Sequence, residues 1–239
     1  MSAIKSTQTI GKTLRVLAAL LGYPDSQLRG DLPEMRELLR GESALSASRL
    51  GELDALMQRL QSADPLDSEA DYVDLFDRGR ATSLHLFEHV HGDSRERGPA
   101  MIDLGQTYAN AGLLLAEGEL PDYLPAVLEF VSTQPPAEAM AFLGEMAHIV
   151  KSIFAALARR DSAYASALAA LLDLAGESID EQIDAQALPG KAAAEESLDA
   201  SWVEPEVFAG CSAQGQARPG QAQPIHIIRA ASAAQGASS

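Results

Sequence analysis

The sequence predicts an all-α protein: a single multi-helix bundle over residues 1–175, followed by a largely flexible tail over 176–239. Three observations carry this expectation. Apolar residues recur at three- and four-residue spacings up to Gly176. No alternating, strand-like run interrupts them. Proline, glycine and aspartate fall where helices should begin and end.

The elements follow in order. Ile10, Leu14, Leu17, Ala18 and Leu21 share one helical face, so a first amphipathic helix is expected over 9–21, stopped by Gly22-Tyr23-Pro24. A second is expected over 33–40, with Pro33 in its first turn and Gly41 at its end. Leu50, Leu53, Leu56, Met57 and Leu60 form the stripe of a third, over 46–60. Asp64-Pro65 reads as an N-cap and a first-turn proline opening a fourth helix to residue 76. After the break Asp77-Arg78-Gly79-Arg80, a short helix is expected over 83–91. Pro99 opens the next, to about residue 116, and 123–131 forms another. Pro135-Pro136 starts the longest, over 136–160, with the stripe Phe142, Met146, Ile149, Ile153, Leu157. Tyr164, Leu168, Leu171 and Leu172 mark a last core helix ending near Gly176.

The tail differs in kind. It is rich in Ala, Gly, Gln, Ser and Pro and carries nine acidic against three basic residues. Such a composition buries too little apolar surface to offset its ordering entropy. Two apolar islands, around Trp202 and Ile225, are expected to dock.

Composition narrows the function. The chain has 239 residues, with 34 Asp+Glu against 18 Lys+Arg and a formal net charge of −16. Nucleic-acid binding is excluded as a leading idea, because phosphate contacts need clustered Lys and Arg. An anionic membrane repels such a surface, and no run of about 18 apolar residues is read as a span. A single cysteine, Cys211, excludes an intramolecular disulfide framework. Lys12 and Arg15 interrupt the apolar start, which argues against a signal peptide, so a cytoplasmic protein is expected.

Chemistry concentrates in residues 72–98, which hold three of the five histidines, four arginines and five acids. Three readings compete there. His85-x-x-Glu88-His89 matches the inverted zinc-peptidase signature, with both histidines one turn apart on a helix and Glu88 beside them as base. A third ligand, Glu138 or Glu145, would have to come from a later helix. Alternatively the segment is a buried helix whose polar groups satisfy neighbouring backbone. In the third reading an amphipathic ligand enters a groove whose contacts are Tyr72, Leu75, Phe76, Leu86 and Phe87. Asp77, Arg80, His85, Glu88, His89, Asp93 and Arg95 are then its polar determinants.

The run YVDLFDRGRATSLHLFEHVHGDSRERGPAMIDL resembles the signature region of the respiratory nitrate reductase delta subunit family, the NarJ-type molybdenum-cofactor assembly chaperones. LLGYPD at 20–25, ELPDYLPAVLEF at 119–130, WVEPEVF and PIHII stand in that family's order, so the resemblance spans essentially the whole chain. It implies an all-helical redox-enzyme maturation chaperone, without catalytic residues, metal or cofactor of its own. It further implies a client, the catalytic alpha subunit of nitrate reductase, bound through its N-terminal segment among other contacts. The client would be held competent for molybdenum cofactor insertion and membrane assembly. The chaperone would be absent from the finished enzyme, with cofactor-delivery proteins as further partners. Nucleic acid and stable membrane insertion are not expected. A zinc metallopeptidase and a permanent structural subunit of the reductase are the alternatives. The absence of a G-x-x-x-x-G-K-[ST] run leaves a nucleotide-driven engine unsupported.

Overall fold

The computed structural model describes residues 9–177, apart from 93 and 117. These form α1 (Gly11–Leu21), α2 (Ser26–Glu42), α3 (Ala47–Ser62), α4 (Pro65–Phe76), α5 (Leu86–Val90), α6 (Arg97–Asn110), α7 (Leu124–Ser132), α8 (Pro136–Arg159) and α9 (Ala165–Ala175). A 3-10 turn, Arg80–Thr82, lies between α4 and α5. No strand forms among the described residues; His85 and Tyr123 make one isolated antiparallel bridge. The all-helical expectation is met. The islands at Trp202 and Ile225, and Asp93, lie outside the described residues.

The bundle is organised around α1, which buries Leu14, Val16, Leu17, Leu20 and Leu21 against α2, α7 and α9. Burial on nearly every side explains why this short helix is apolar beyond a single stripe. Its backbone meets α7 so closely that a Cβ on Gly11 would lie 2.9 Å from the Ser132 carbonyl oxygen. Gly11 therefore sets the spacing of that pair. Helices α8 and α9 pack along each other across the turn at residues 160–164, and Arg49 of α3 is tied to Asp173 of α9 at 2.8 Å.

Several helix ends are closed by side chains from other elements. Glu42, at the end of α2, accepts from the backbone N–H of Thr13 at 2.6 Å and of Lys12 at 3.2 Å. Those donors in the first turn of α1 have no intrahelical partner, and the carboxylate also meets the positive end of the helix dipole. Arg29 donates to the Leu60 carbonyl at 2.6 Å and the Ala63 carbonyl at 3.2 Å, closing the end of α3. Asp64 caps α4 through Leu66 N–H at 2.9 Å, and Pro65 opens that helix, as the sequence predicts.

Three expectations are corrected. Helix α2 starts at Ser26, not near Pro33: Asp25 caps it through Leu28 N–H at 2.8 Å, and Pro33 sits inside. The stripe Leu28, Leu32, Met35, Leu39 is buried across the proline, and that burial outweighs the one lost backbone bond. Helix α6 ends at Asn110, not near residue 116, because Gly112 turns with φ +79°. Finally, α8 is long and apolar enough to span a membrane by length and hydropathy, where the sequence predicts no such stretch. Nine of its 24 residues are buried in the described fold, including Leu143, Met146, Val150, Ile153 and Leu157.

Replacing Glu42 with alanine uncaps α1 from outside. The expected loss is about 1–2 kcal/mol of unfolding free energy, read by urea denaturation.

Candidate functional site

The centre of the site is a carboxylate far from the histidine-rich run in sequence. Asp122 precedes α7 and is fully buried. Its Oδ2 accepts from the Phe87 backbone N–H at 3.1 Å, inside the first turn of α5. Its Oδ1 lies 3.3 Å from His85 Nδ1, and Arg97 Nη2 stands 3.9 Å from Oδ2. The backbone reinforces the same junction: Leu86 N–H donates to the Asp122 carbonyl at 3.0 Å, and Leu124 N–H to the Leu84 carbonyl at 2.8 Å. A five-residue helix cannot nucleate itself, so α5 is held in place by this carboxylate from the start of α7.

Around it the polar groups are paired. Arg97 also reaches Glu88 at 3.6 Å, and His89 Nε2 lies 2.9 Å from the Ser83 carbonyl. Hydrogen bonding to Asp122 raises the His85 imidazole above its ordinary value of 6.5, against the opposing effects of burial and Arg97. Behind, Tyr72 O–H donates to the Leu21 carbonyl at 2.8 Å, and its oxygen lies 3.0 Å from the Tyr123 hydroxyl. Burial is the main reason that both phenols titrate above their usual value.

In front lies a pocket of about 350 Å³ lined by Asp77, Gly79, Arg80, Ser83, Glu88 and Arg97. Gly79 is sterically required there: a Cβ would lie 2.9 Å from the Leu75 carbonyl oxygen and collide with Thr82 Oγ1. The Thr82 hydroxyl in turn donates to the Leu75 carbonyl, closing the turn after α4. The pocket can bind and orient charged groups of a ligand through carboxylates and guanidiniums placed side by side.

The candidate residues therefore divide. Asp77, Arg80 and Glu88 line the pocket, His85 and His89 brace its wall, and Arg95 is exposed. Leu75 and Phe87 are partly buried. Tyr72, Phe76 and Leu86 are 4%, 4% and 6% exposed and support the site from within the core. The helical placement of His85-x-x-Glu88-His89 is corrected: His85 precedes α5 in extended backbone, φ −85° and ψ 104°. Its ring faces Asp122 while that of His89 faces Ser83, so the two do not converge as i, i+4 neighbours. No group of three His, Cys, Asp or Glu among the described residues is arranged to hold a metal. Asp122, the organising residue, escaped sequence reasoning; an acid between Pro121 and Tyr123 in an otherwise apolar run was its one signal.

The nitrate reductase delta subunit family model matches residues 42–170. The chain belongs to that family. It is 42% identical over 196 residues to the nitrate reductase molybdenum cofactor assembly chaperone NarJ of Escherichia coli, covering 81% of this chain and 83% of the relative. The probable assembly chaperone NarW of the same organism is 36% identical over 199 residues, covering 81% and 82%. The probable nitrate reductase molybdenum cofactor assembly chaperone NarJ of Bacillus subtilis is 32% identical over 67% of this chain and 86% of the relative. Among solved structures, an Archaeoglobus fulgidus protein described as a redox enzyme maturation protein superposes with TM-score 0.50 at 20% identity. The match covers 70% of this chain and 94% of that one, and it shows a shared fold. A member of this chaperone family, the chain is not an enzyme.

Two outcomes follow for the site. Asp122→Ala removes an internal cap and a buried ion-pair partner and is expected to cost about 3 kcal/mol, with Asp122→Asn milder, both by urea denaturation. The raised His85 value means that its protonated form stabilises the fold. That contribution is complete below the unfolded value near 6.5 and is lost as pH rises through the higher folded value. The stability gap between the wild type and His85→Gln should therefore close in alkaline buffer; a gap independent of pH would refute the pairing.

Proposed function

We propose that this chain is a dedicated assembly chaperone for respiratory nitrate reductase. It binds the apo catalytic alpha subunit in the cytoplasm, in part through that subunit's N-terminal segment. It keeps the client competent for molybdenum cofactor insertion and membrane assembly, and it leaves before the enzyme is finished. The observation that carries this reading is the 42% identity to an assembly chaperone over 81% of the chain, which includes the run that forms the Asp122 pocket.

The mechanism is holding. The client segment docks as an amphipathic helix beside α4 and α5, with Leu75 and Phe87 as apolar contacts. Asp77, Arg80, Glu88, Asp93 and Arg95 fix its direction, and the buried Tyr72, Phe76 and Leu86 keep that surface in shape. His85 and His89 hold the wall against which the segment rests. The charge of −16 keeps a protein that handles apolar client surface in solution and attracts a basic segment.

Titration calorimetry with a synthetic peptide copying the N-terminal segment of the catalytic subunit tests this. Phe87→Ala and Glu88→Gln should each weaken binding several-fold, and wild-type affinity should fall as salt rises. Folded variants that bind with unchanged affinity would move the site elsewhere.

A further inference from the structure

The charged pocket already contains a cation of the protein's own. Arg97 Nη2 stands 3.6 Å from Glu88 Oε1 and 3.9 Å from Asp122 Oδ2, so its guanidinium sits between an acid of the pocket and the buried acid behind it. Neither separation is short enough for a hydrogen bond, and the side chains of Arg97 and Glu88 are each 28% exposed. Partly hydrated ion pairs of this length hold weakly. The pocket's other charged lining is Asp77, Arg78 and Arg80, and Arg78 pairs with Asp74 at 3.3 Å, outside the lining.

The element that brings Arg97 there is poorly held. Arg97 is the first residue of α6, where the helix dipole disfavours a cation. The helix has neither a side-chain cap nor an acid in its first turn, and Tyr108, near its far end, is its one buried side chain. Gly98 and Gly105 weaken the helix between those two points, and no neighbour requires them: a Cβ on either would meet nothing within 4 Å. Ile102, on the same stretch, is 73% exposed. Gly92 and Gly112, both with positive φ, bracket the helix and give the chain two points at which to turn. The first turns of α6 can therefore move while Tyr108 stays in place. Asp122 would keep the Phe87 N–H at 3.1 Å and the His85 ring at 3.3 Å, so the buried carboxylate tolerates the loss of Arg97.

We propose that Arg97 is an internal stand-in for a ligand's cation: it occupies the subsite between Glu88 and Asp122, and a Lys or Arg of the client displaces it. This rests on the function proposed above. Displacement takes the Arg97 guanidinium out of the pocket and releases the first turns of α6, so filling the pocket is relayed to that helix. A segment without a well-placed cation leaves the latch closed, which makes Arg97 a specificity-determining residue that acts by competition. The sign of its effect is the distinguishing feature. A guanidinium that merely touched the client would weaken binding when removed, whereas a competitor strengthens it.

The test is titration calorimetry of the full chain with the same synthetic N-terminal peptide of the catalytic subunit, alongside hydrogen exchange of the α6 amides. Arg97→Gln should bind the peptide about threefold to fivefold more tightly than the wild type, and Arg97→Lys, which keeps a cation, should stay close to it. The gain should vanish in the Glu88→Gln background, where the contested carboxylate is gone. Amides of residues 101–105 should exchange several-fold faster in Arg97→Gln, and in the wild type with peptide bound, than in the free wild type, while those of α1 and α8 stay protected. Damage to the fold would not tighten binding. A folded Arg97→Gln protein that binds the peptide no better than the wild type overturns the competition. If neither protein binds, the proposed N-terminal contact falls and this inference with it; if only Arg97→Gln binds, both stand.

Discussion

The geometry of the candidate site depends on one buried carboxylate. Asp122 has no exposure to water, and a bare charge in that position would be prohibitively costly. Its cost is offset by three partners from one sequence neighbourhood: the Phe87 N–H, the His85 ring and the Arg97 guanidinium. Two of these partners stand at the start of α5 and the third at the start of α6, so satisfying the carboxylate ties those two helix starts together. The five-residue α5 and the start of α6 are held against α7 through it. Remove the charge, and a segment with little packing of its own loses its template.

That constraint explains why a short run so dense in ionisable groups forms a recognition surface. Arg97 is shared between Asp122 and Glu88, and the histidines are spent on the protein's own carboxylate and carbonyl. What faces the pocket is a set of acids and guanidiniums on a braced frame, suited to orienting a partner's charges. Helix α6 is anchored lightly by comparison. Tyr108 is its one buried side chain; its hydroxyl donates to the Pro121 carbonyl at 2.8 Å and its ring packs tilted against Phe130. Both anchors of α6 thus lie at the segment that carries Asp122, so the pocket and its neighbouring helix are tied to the same few residues.

Much of the fold was legible because helix boundaries are written in local chemistry. Asp64-Pro65 and Ser46 cap their helices as their residue types dictate. Pro33 misled for an instructive reason: a proline signals a helix start only if nothing else stabilises the turn before it, and burial of Leu28 and Leu32 does so. Residues 83–91 mislead because helical periodicity runs through His85, whose extended backbone is bridged to Tyr123. In the site, the cluster of charged and aromatic residues was visible as a cluster. Which of them face a ligand was not, because Tyr72 and Phe76 look alike as exposed anchors and as core.

The sequence by itself determined the helical class, the order of the helices, the acidic surface and, through its long resemblance, the family. These are properties of residue type and spacing along the chain, and local physics reads them directly. Only the tertiary structure decided that Asp122 organises a segment some 35 residues away, that the histidine pair does not converge, and that Gly79 has no room for a side chain. Each of those depends on which elements meet in space. A hydrogen bond or a steric contact across such a separation leaves no periodic trace in either partner's own sequence.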